Sequence, residues 1–133
     1  RVRGVMNRYG AVRCAIFGIG RASESHPVAR AARNGSRSPG KQSHRARILR
    51  RDAVASVGCL FFDGKGRPSN CRFDLRTIGI SHDELLRVPV RVGLASGLDK
   101  LDAVHALVRG KILDVLIIDT ALARKLDQAT KEA

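Results

Sequence analysis

The sequence predicts a layered α/β fold with parallel strands, and three observations predict it. Val90 to Ala95 reads as a strand running into a tight Ser96-Gly97 turn. Leu98 to Val108 follows as an amphipathic helix, with Leu101, Val104, Leu107 and Val108 on one face. Beyond Gly110 comes the unbroken apolar run Val115-Leu116-Ile117-Ile118. A strand, a helix and a second strand at this spacing imply parallel pairing through a right-handed crossover. An uninterrupted apolar strand suits a position covered on both faces.

The remaining elements follow in order. Cys14 to Gly20 looks like a buried strand ending in a glycine turn, and Ser23 to about Gln42 like a long loop rich in turn formers. Val54 to Asp63 reads as one strand, followed by a turn at Asp63-Gly64-Lys65-Gly66. Ser81 to Leu86 opens like a capped helix. Ser81 can accept from the first-turn amides, Asp83 and Glu84 suit the positive end of the dipole, and Pro89 stops it. Gly110 is expected to end the 98–108 helix, and Thr120 to cap a last one running through Leu126. The chain thus divides into a basic, partly irregular segment, 1–52, with one strand at about 14–20, and a well-organised part, 53–133.

Composition narrows the function classes. At 133 residues with 44% hydrophobic content the chain has room for one modest domain. It contains no run of about 18 apolar residues, so no membrane span is expected. The first residues carry no secretory pattern and no initiating Met, which reads as a fragment or a processed chain. Three cysteines, Cys14, Cys59 and Cys71, make no disulfide framework and no Cys-x-x-Cys zinc pair, so a reducing, cytoplasmic setting is expected. The net charge of +13 is uneven: residues 1–52 hold 13 Arg and Lys against only Glu24 and Asp52, while residues 53–133 nearly balance. Arg45-Ala46-Arg47-Ile48-Leu49-Arg50-Arg51 could dock on nucleic-acid phosphates, but no aromatics interleave it for base stacking.

The best site candidate is Ala95-Ser96-Gly97-Leu98-Asp99-Lys100. A glycine turn after a parallel strand leaves amides at a helix N-terminus where an anion is favoured, and Lys100 could add a charge to a bound phosphate. On the residues alone, an ordinary strand-to-helix turn with a solvated lysine accounts for it as well, since such turns recur without ligands. Gly18 and Gly20 could bring backbone close to the same ligand, although Arg21-Ala22-Ser23 supplies no third glycine for a dinucleotide motif. Histidines 26, 44, 82 and 105 are scattered, and Asp99, Asp102 and Asp114 are accounted for by capping and solvation. No catalytic constellation, metal site or cofactor motif emerges.

From Val54 to Leu126 the chain resembles the end of the sugar-binding domain of the SorC family of bacterial regulators, relatives of the DeoR type. The matching pieces are Leu60-Phe61-Phe62-Asp63-Gly64-Lys65-Gly66-Arg67-Pro68, Ile78-Gly79-Ile80-Ser81-His82-Asp83-Glu84-Leu85 and Arg87 through Lys100. Ala103 through Gly110 and Val115 through Ala123 complete them, in order and at matching spacing. The 14–20 strand looks like the family's preceding one. The resemblance implies a Rossmann-like three-layer parallel sheet of the phosphosugar-isomerase and CoA-transferase type, incomplete here. It also implies a non-enzymatic role: a phosphorylated sugar effector bound at Ser96, Gly97 and Lys100, with Gly18 and Gly20 nearby. Homo-oligomers are expected. DNA would be read only through an N-terminal helix-turn-helix that this chain lacks, or contacted nonspecifically by the basic segment. The chain departs from the family in having Ser96-Gly97 where two glycines often stand, and Ser56 where an acidic residue is usual. Its basic stretch at 21–51 is also atypical. A nucleic-acid-binding protein, or less favourably a small phosphosugar enzyme, are the other classes the residues allow.

Overall fold

The computed structural model describes residues 2–22, 52–69 and 78–132. The long loop expected at 23–42, the Arg45–Arg51 cluster, Cys71, His26 and His44 lie outside the described residues. A short helix, α1 (Val2–Met6), precedes β1 (Cys14–Arg21), β2 (Ala53–Val57) and β3 (Leu60–Asp63). Then come α2 (His82–Arg87), β4 (Val90–Ala95), α3 (Leu101–Arg109), β5 (Val115–Ile118) and α4 (Thr120–Lys131). The strands form one sheet in the order β3-β2-β1-β4-β5.

Parallel pairing holds where the sequence predicts it. β4 lies between β1 and β5, parallel to both, with Ile16 opposite Val92 and Leu94 opposite Ile117. The expected single strand over 54–63 is instead a hairpin, and the sheet is mixed. Val57 faces Leu60 across a two-residue turn, β2 and β3 run antiparallel, and β2 lies antiparallel on β1 with Ile19 opposite Val57. The reason is Gly58, whose φ of 58° is a left-handed turn conformation that the apolar run around it conceals.

The core lies on one side of the sheet. Ala15, Phe17 and Ile19 of β1 face it, with Leu116 and Ile118 of β5, and Ala103, Val104 and Leu107 of α3 pack down on them. Leu85 of α2 and Leu122 of α4 close its edges. On the opposite side of β1, β4 and β5, Ile16, Val90, Leu94, Val115 and Ile117 are exposed. Further along that side, Ser56 and Phe61 on the hairpin are buried. Among the described residues, the helices lie on the core side of β1, β4 and β5, and the second side is buried only over the hairpin.

Local signals explain the helix ends, with two corrections. Ser81 caps α2 as expected: its Oγ accepts the Glu84 N–H at 3.2 Å, and Glu84 Oε2 accepts the Ser81 N–H at 2.8 Å. The helix expected from Leu98 begins as a 3₁₀ turn, Leu98–Lys100, and becomes α-helical at Leu101. Gly110 does end α3, but the left-handed residue is Lys111 at φ 55°. The cap of α4 is Asp119 and not Thr120, which is already the first helical residue. Aspartate one residue earlier puts a charged acceptor on the Leu122 amide.

The Asp63–Gly66 turn is where the hairpin meets α3. Asp63 Oδ1 accepts the N–H of Lys65 and of Arg67, both at 2.9 Å, and its Oδ2 accepts Arg67 Nε at 2.8 Å. Gly66, at φ 72°, then touches the end of α3: a Cβ there would lie 2.5 Å from Gly110 Cα and collide with the carbonyl oxygen of Ala106. A Cβ on Gly110 would in turn lie 2.5 Å from the Gly66 oxygen. Backbone meets backbone, so neither glycine has room to yield.

Candidate functional site

Three parallel strands end on one rim, as ligand-binding sheets of this kind do. β4 leads into Ser96-Gly97, β5 into Asp119, and β1 into Gly20-Arg21. The parallel register pairs Gly18 with Leu94, which carries Gly20 to the level of Ser96. Gly97, at φ 97° and ψ 141°, takes a conformation closed to residues with a Cβ, and its carbonyl accepts the Lys100 N–H at 3.1 Å.

A residue outside the predicted set organises the turn. Asp119 Oδ2 accepts the Gly97 N–H at 2.7 Å, and its Oδ1 accepts the Leu122 N–H at 2.9 Å. The Gly97 and Leu122 amides, helped by the Ser96 hydroxyl, hold the Asp119 carboxyl below the usual aspartate range. One ionised side chain thus fastens the turn after β4 to the start of α4. Lys100 Nζ stands 3.1 Å from Asp99 Oδ2, with its side chain about a third exposed at 30%. The rim therefore presents amides, a hydroxyl, one ammonium and two carboxylates. Such a set can take a ligand with an anionic end for Lys100 and hydroxyl donors for the carboxylates.

The sequence-predicted residues separate on this geometry. Gly20, Ser96, Gly97 and Lys100 come together at the rim. Gly18 sits further back in β1, exposed, where a Cβ would meet nothing within 4 Å. Ser56 is buried directly across from Gly20. Asp119 was visible in the sequence as the residue between an apolar strand and a helix, a position where aspartate is a strong cap. Its reach to Gly97, 22 residues back, was not.

Other polar groups serve the scaffold. Asp114 is more than solvated: it accepts from Arg91 Nε at 2.8 Å and from the Arg91 N–H at 2.9 Å, clamping the entries of β4 and β5 together. The Arg91 guanidinium beside Asp114 holds its carboxyl below the usual range. His82 donates from Nε2 to the Phe61 carbonyl at 3.1 Å and packs edge-on against Phe62. It lines a cavity of about 410 Å³ between β1 and the β2–β3 turn, among Phe17, Val57, Leu60, Ile80 and Leu85. Those apolar walls offer little to a sugar phosphate, and the rim is the better candidate. Among the described residues no group of three or more His, Cys, Asp or Glu is placed to hold a metal ion.

Comparison with known proteins decides the family. A family model described as "Putative sugar-binding domain" matches residues 1–126. The chain belongs to the sugar-binding-domain family of SorC/DeoR-type transcriptional regulators. The transcriptional regulator LsrR of Klebsiella pneumoniae is 34% identical over 124 residues, 92% of this chain and 37% of LsrR. The deoxyribonucleoside regulator of Bacillus subtilis is 34% identical over 79 residues, 59% of this chain and 25% of that protein. Among solved structures, a sugar-binding domain of a transcriptional repressor from Vibrio fischeri superposes with a TM-score of 0.77 at 21% identity. That match covers 97% of this chain and 49% of the other. The sorbitol operon regulator SorC of Klebsiella pneumoniae gives a TM-score of 0.71 at 17% identity, over 94% of this chain and 38% of SorC. The chain thus spans between a quarter and two fifths of the length of these regulators and about half of a solved sugar-binding domain. The match extends through the basic first half, which aligns with the family together with the rest. No described helix is long and apolar enough to cross a membrane.

Proposed function

We propose that this chain forms the phosphosugar-binding rim of an effector domain and has no catalytic role of its own. The observation that carries this reading is the meeting of Ser96, Gly97, Lys100 and Asp119 where three parallel strands end. In it the phosphate lies at the 3₁₀ turn, taking the charge of Lys100 and first-turn amides, and Gly20 leaves the backbone open beside it. Asp119 fixes the turn from behind, and the carboxylate of Asp99 faces the sugar hydroxyls. The ligand changes the grip of a regulator on DNA, with the DNA-reading part and homo-oligomer contacts supplied by polypeptide beyond this region, in the cytoplasm. The relatives' identity as transcriptional regulators supports the setting.

A thermal-shift screen against sugar phosphates, with the parent sugars and inorganic phosphate as controls, tests this reading. The expected outcome is an upward shift with one class of sugar phosphate that its unphosphorylated parent does not give. Lys100→Ala should then weaken that ligand by about 1–3 kcal/mol in calorimetry, the loss of a charge-assisted contact. A cooperative melt that no sugar phosphate moves, or affinity unchanged in Lys100→Ala, overturns the assignment.

A further inference from the structure

The rim holds a second cation, and the fold makes no use of it. Arg21, the last residue of β1, is exposed and follows directly on Gly20. The β1–β4 register, carried on from Gly18 opposite Leu94, sets Arg21 level with Gly97 on the next strand. Side chains alternate along a strand, so Arg21 shares its side of the sheet with Ala15, Phe17 and Ile19, which face the core. The Leu98–Lys100 turn lies beside β1 and leads into α3, which packs on that side. Arg21 and Lys100 therefore flank one opening from two neighbouring elements.

Their charges are not equivalent. The ion pairs among the described residues join Asp63 to Arg67, Asp99 to Lys100, Asp114 to Arg91 and Asp127 to Lys131. None of them takes Arg21. Lys100 already faces a carboxylate, 3.1 Å away on Asp99. Asp119, the other acid of the rim, has its two oxygens on the Gly97 and Leu122 amides. The uncompensated positive charge of the rim thus centres on Arg21. A guanidinium presents paired N–H donors that fit the edge of a carboxylate or a phosphate, and it stays charged at any physiological pH. An exposed arginine alone is an ordinary solvated charge; the place of this one sets it apart. A phosphate resting on the 3₁₀ turn leaves the body of a sugar to extend over Gly20, which has no side chain to obstruct it. The far end of such a ligand meets Arg21.

We propose that Arg21 is a specificity-determining residue of the rim, selecting a sugar phosphate that bears a second anionic group, a carboxylate or another phosphate. This rests on the phosphosugar reading above, in which Lys100 and the turn amides take the first phosphate. Arg21 holds the second anion through its paired donors, whereas a monophosphate leaves the guanidinium in water.

The test is titration calorimetry on the 133-residue chain at constant ionic strength, with matched hexose and pentose probes. Each set contains a sugar monophosphate, its bisphosphate and its phosphorylated sugar acid. In one set the bisphosphate or the phosphorylated acid should bind about tenfold or more tighter than the monophosphate, and the tighter of the two identifies the second anion. Arg21→Gln should remove that preference, weakening the doubly anionic probe about tenfold and the monophosphate less than roughly twofold. Arg21→Lys keeps the charge without the fork and should recover part of it. Both variants should melt as the wild type does, since the side chain is already in solvent. Arg109→Gln removes the same charge from an exposed position at the far end of α3, and should leave every affinity unchanged.

Four results overturn the proposal. One is a monophosphate that binds as tightly as its doubly anionic partners, and another is a preference that Arg21→Gln leaves intact. The third is equal weakening of both ligand classes by Arg21→Gln, which makes the arginine a second contact to one phosphate. The fourth is loss of the preference in Arg109→Gln, which assigns it to overall charge. Lys100→Ala should weaken every sugar phosphate and leave the ratio between the classes in place. Absence of binding by every probe therefore fails the phosphosugar reading itself. Binding that depends on Lys100 but ignores the second anion fails only the assignment of Arg21.

Discussion

Two turns in this molecule carry an aspartate on their backbone amides, and they differ in where the aspartate comes from. At 63–67 the carboxylate belongs to the loop it holds: Asp63 accepts from Lys65 and Arg67 within four residues. At 96–100 it arrives from another strand, Asp119 reaching Gly97 across 22 residues. The first turn is then pressed, backbone to backbone, against the end of α3, and serves the scaffold. The second stands on the rim with Lys100 beside it, and nothing but the Asp99 carboxylate would meet a Cβ on Gly97 within 4 Å. A turn closed by its own residues can be packed away, whereas one closed from a distance stays open on its outer side. That outer side is where a ligand has access.

The largest expected effect separates the two glycines. Gly66→Ala places a methyl against the Ala106 carbonyl and the Gly110 backbone in a left-handed conformation. It should cost about 3 kcal/mol or more, enough to lower the melting temperature by more than roughly 12 °C or abolish a cooperative melt. Gly97→Ala meets only the end of the Asp99 side chain, 2.7 Å away, which can swing aside. Its cost should be the backbone strain alone, about 1–3 kcal/mol. Thermal unfolding by circular dichroism compares them directly. Equal losses would mean that the rim turn is as tightly packed as the scaffold turn, and the contrast drawn here would fail.

A middle-sized effect concerns the carboxylates. Asp63→Ala leaves the Lys65 and Arg67 amides without an acceptor at a residue only 7% exposed, and should cost roughly 2 kcal/mol. Asp119→Ala removes the cap of α4 and the tie to Gly97, and should lower the melting temperature by about 5 °C, with Asp119→Asn recovering most of it. Hydrogen exchange places the two losses differently. Asp119→Ala should speed exchange at Leu122 and Gly97 together, although they belong to different elements. Asp63→Ala should speed it only within its own loop and at the α3 contact. If Gly97 stays protected in Asp119→Ala, the cross-strand tie does not hold the turn.

The same contrast explains what could be read in advance. Capping of α2 by Ser81, the β4-α3-β5 crossover and the Asp63–Gly66 turn are written in residues at most a few positions apart, or in periods of 2 and 3.6. The hairpin is hidden because Val54 to Asp63 is apolar almost throughout, as one buried strand would be, and only the turn at Gly58 breaks it. At the rim, Ser96, Gly97 and Lys100 were legible as a strand-to-helix turn, while Asp119 was passed over for Thr120. Its second bond depends on the parallel register of β4 and β5, which no local pattern encodes.

The smallest effect is a pH dependence that both turns share. Amides of Gly97 and Leu122 favour the charged form of Asp119. At Asp63 burial opposes ionisation, but the Arg67 and Lys65 hydrogen bonds outweigh it, and both carboxyls lie below their ordinary value of 3.8. A carboxyl depressed in the folded state binds its proton more readily in the unfolded one. The stability it contributes is therefore complete above about pH 4 and is lost as pH falls through the lower folded-state value. The wild-type melting temperature should stay level from neutral pH to about pH 5 and decline below pH 4. Asp119→Asn starts from a slightly lower plateau and should decline less steeply, since one of the protonating groups is gone. Asp63→Asn should shallow the decline as well, but without altering protection at Gly97. A slope below pH 4 that neither substitution reduces would assign the acid sensitivity to Asp114 and Glu84, which are also held below their ordinary values, and leave the two turns without a part in it.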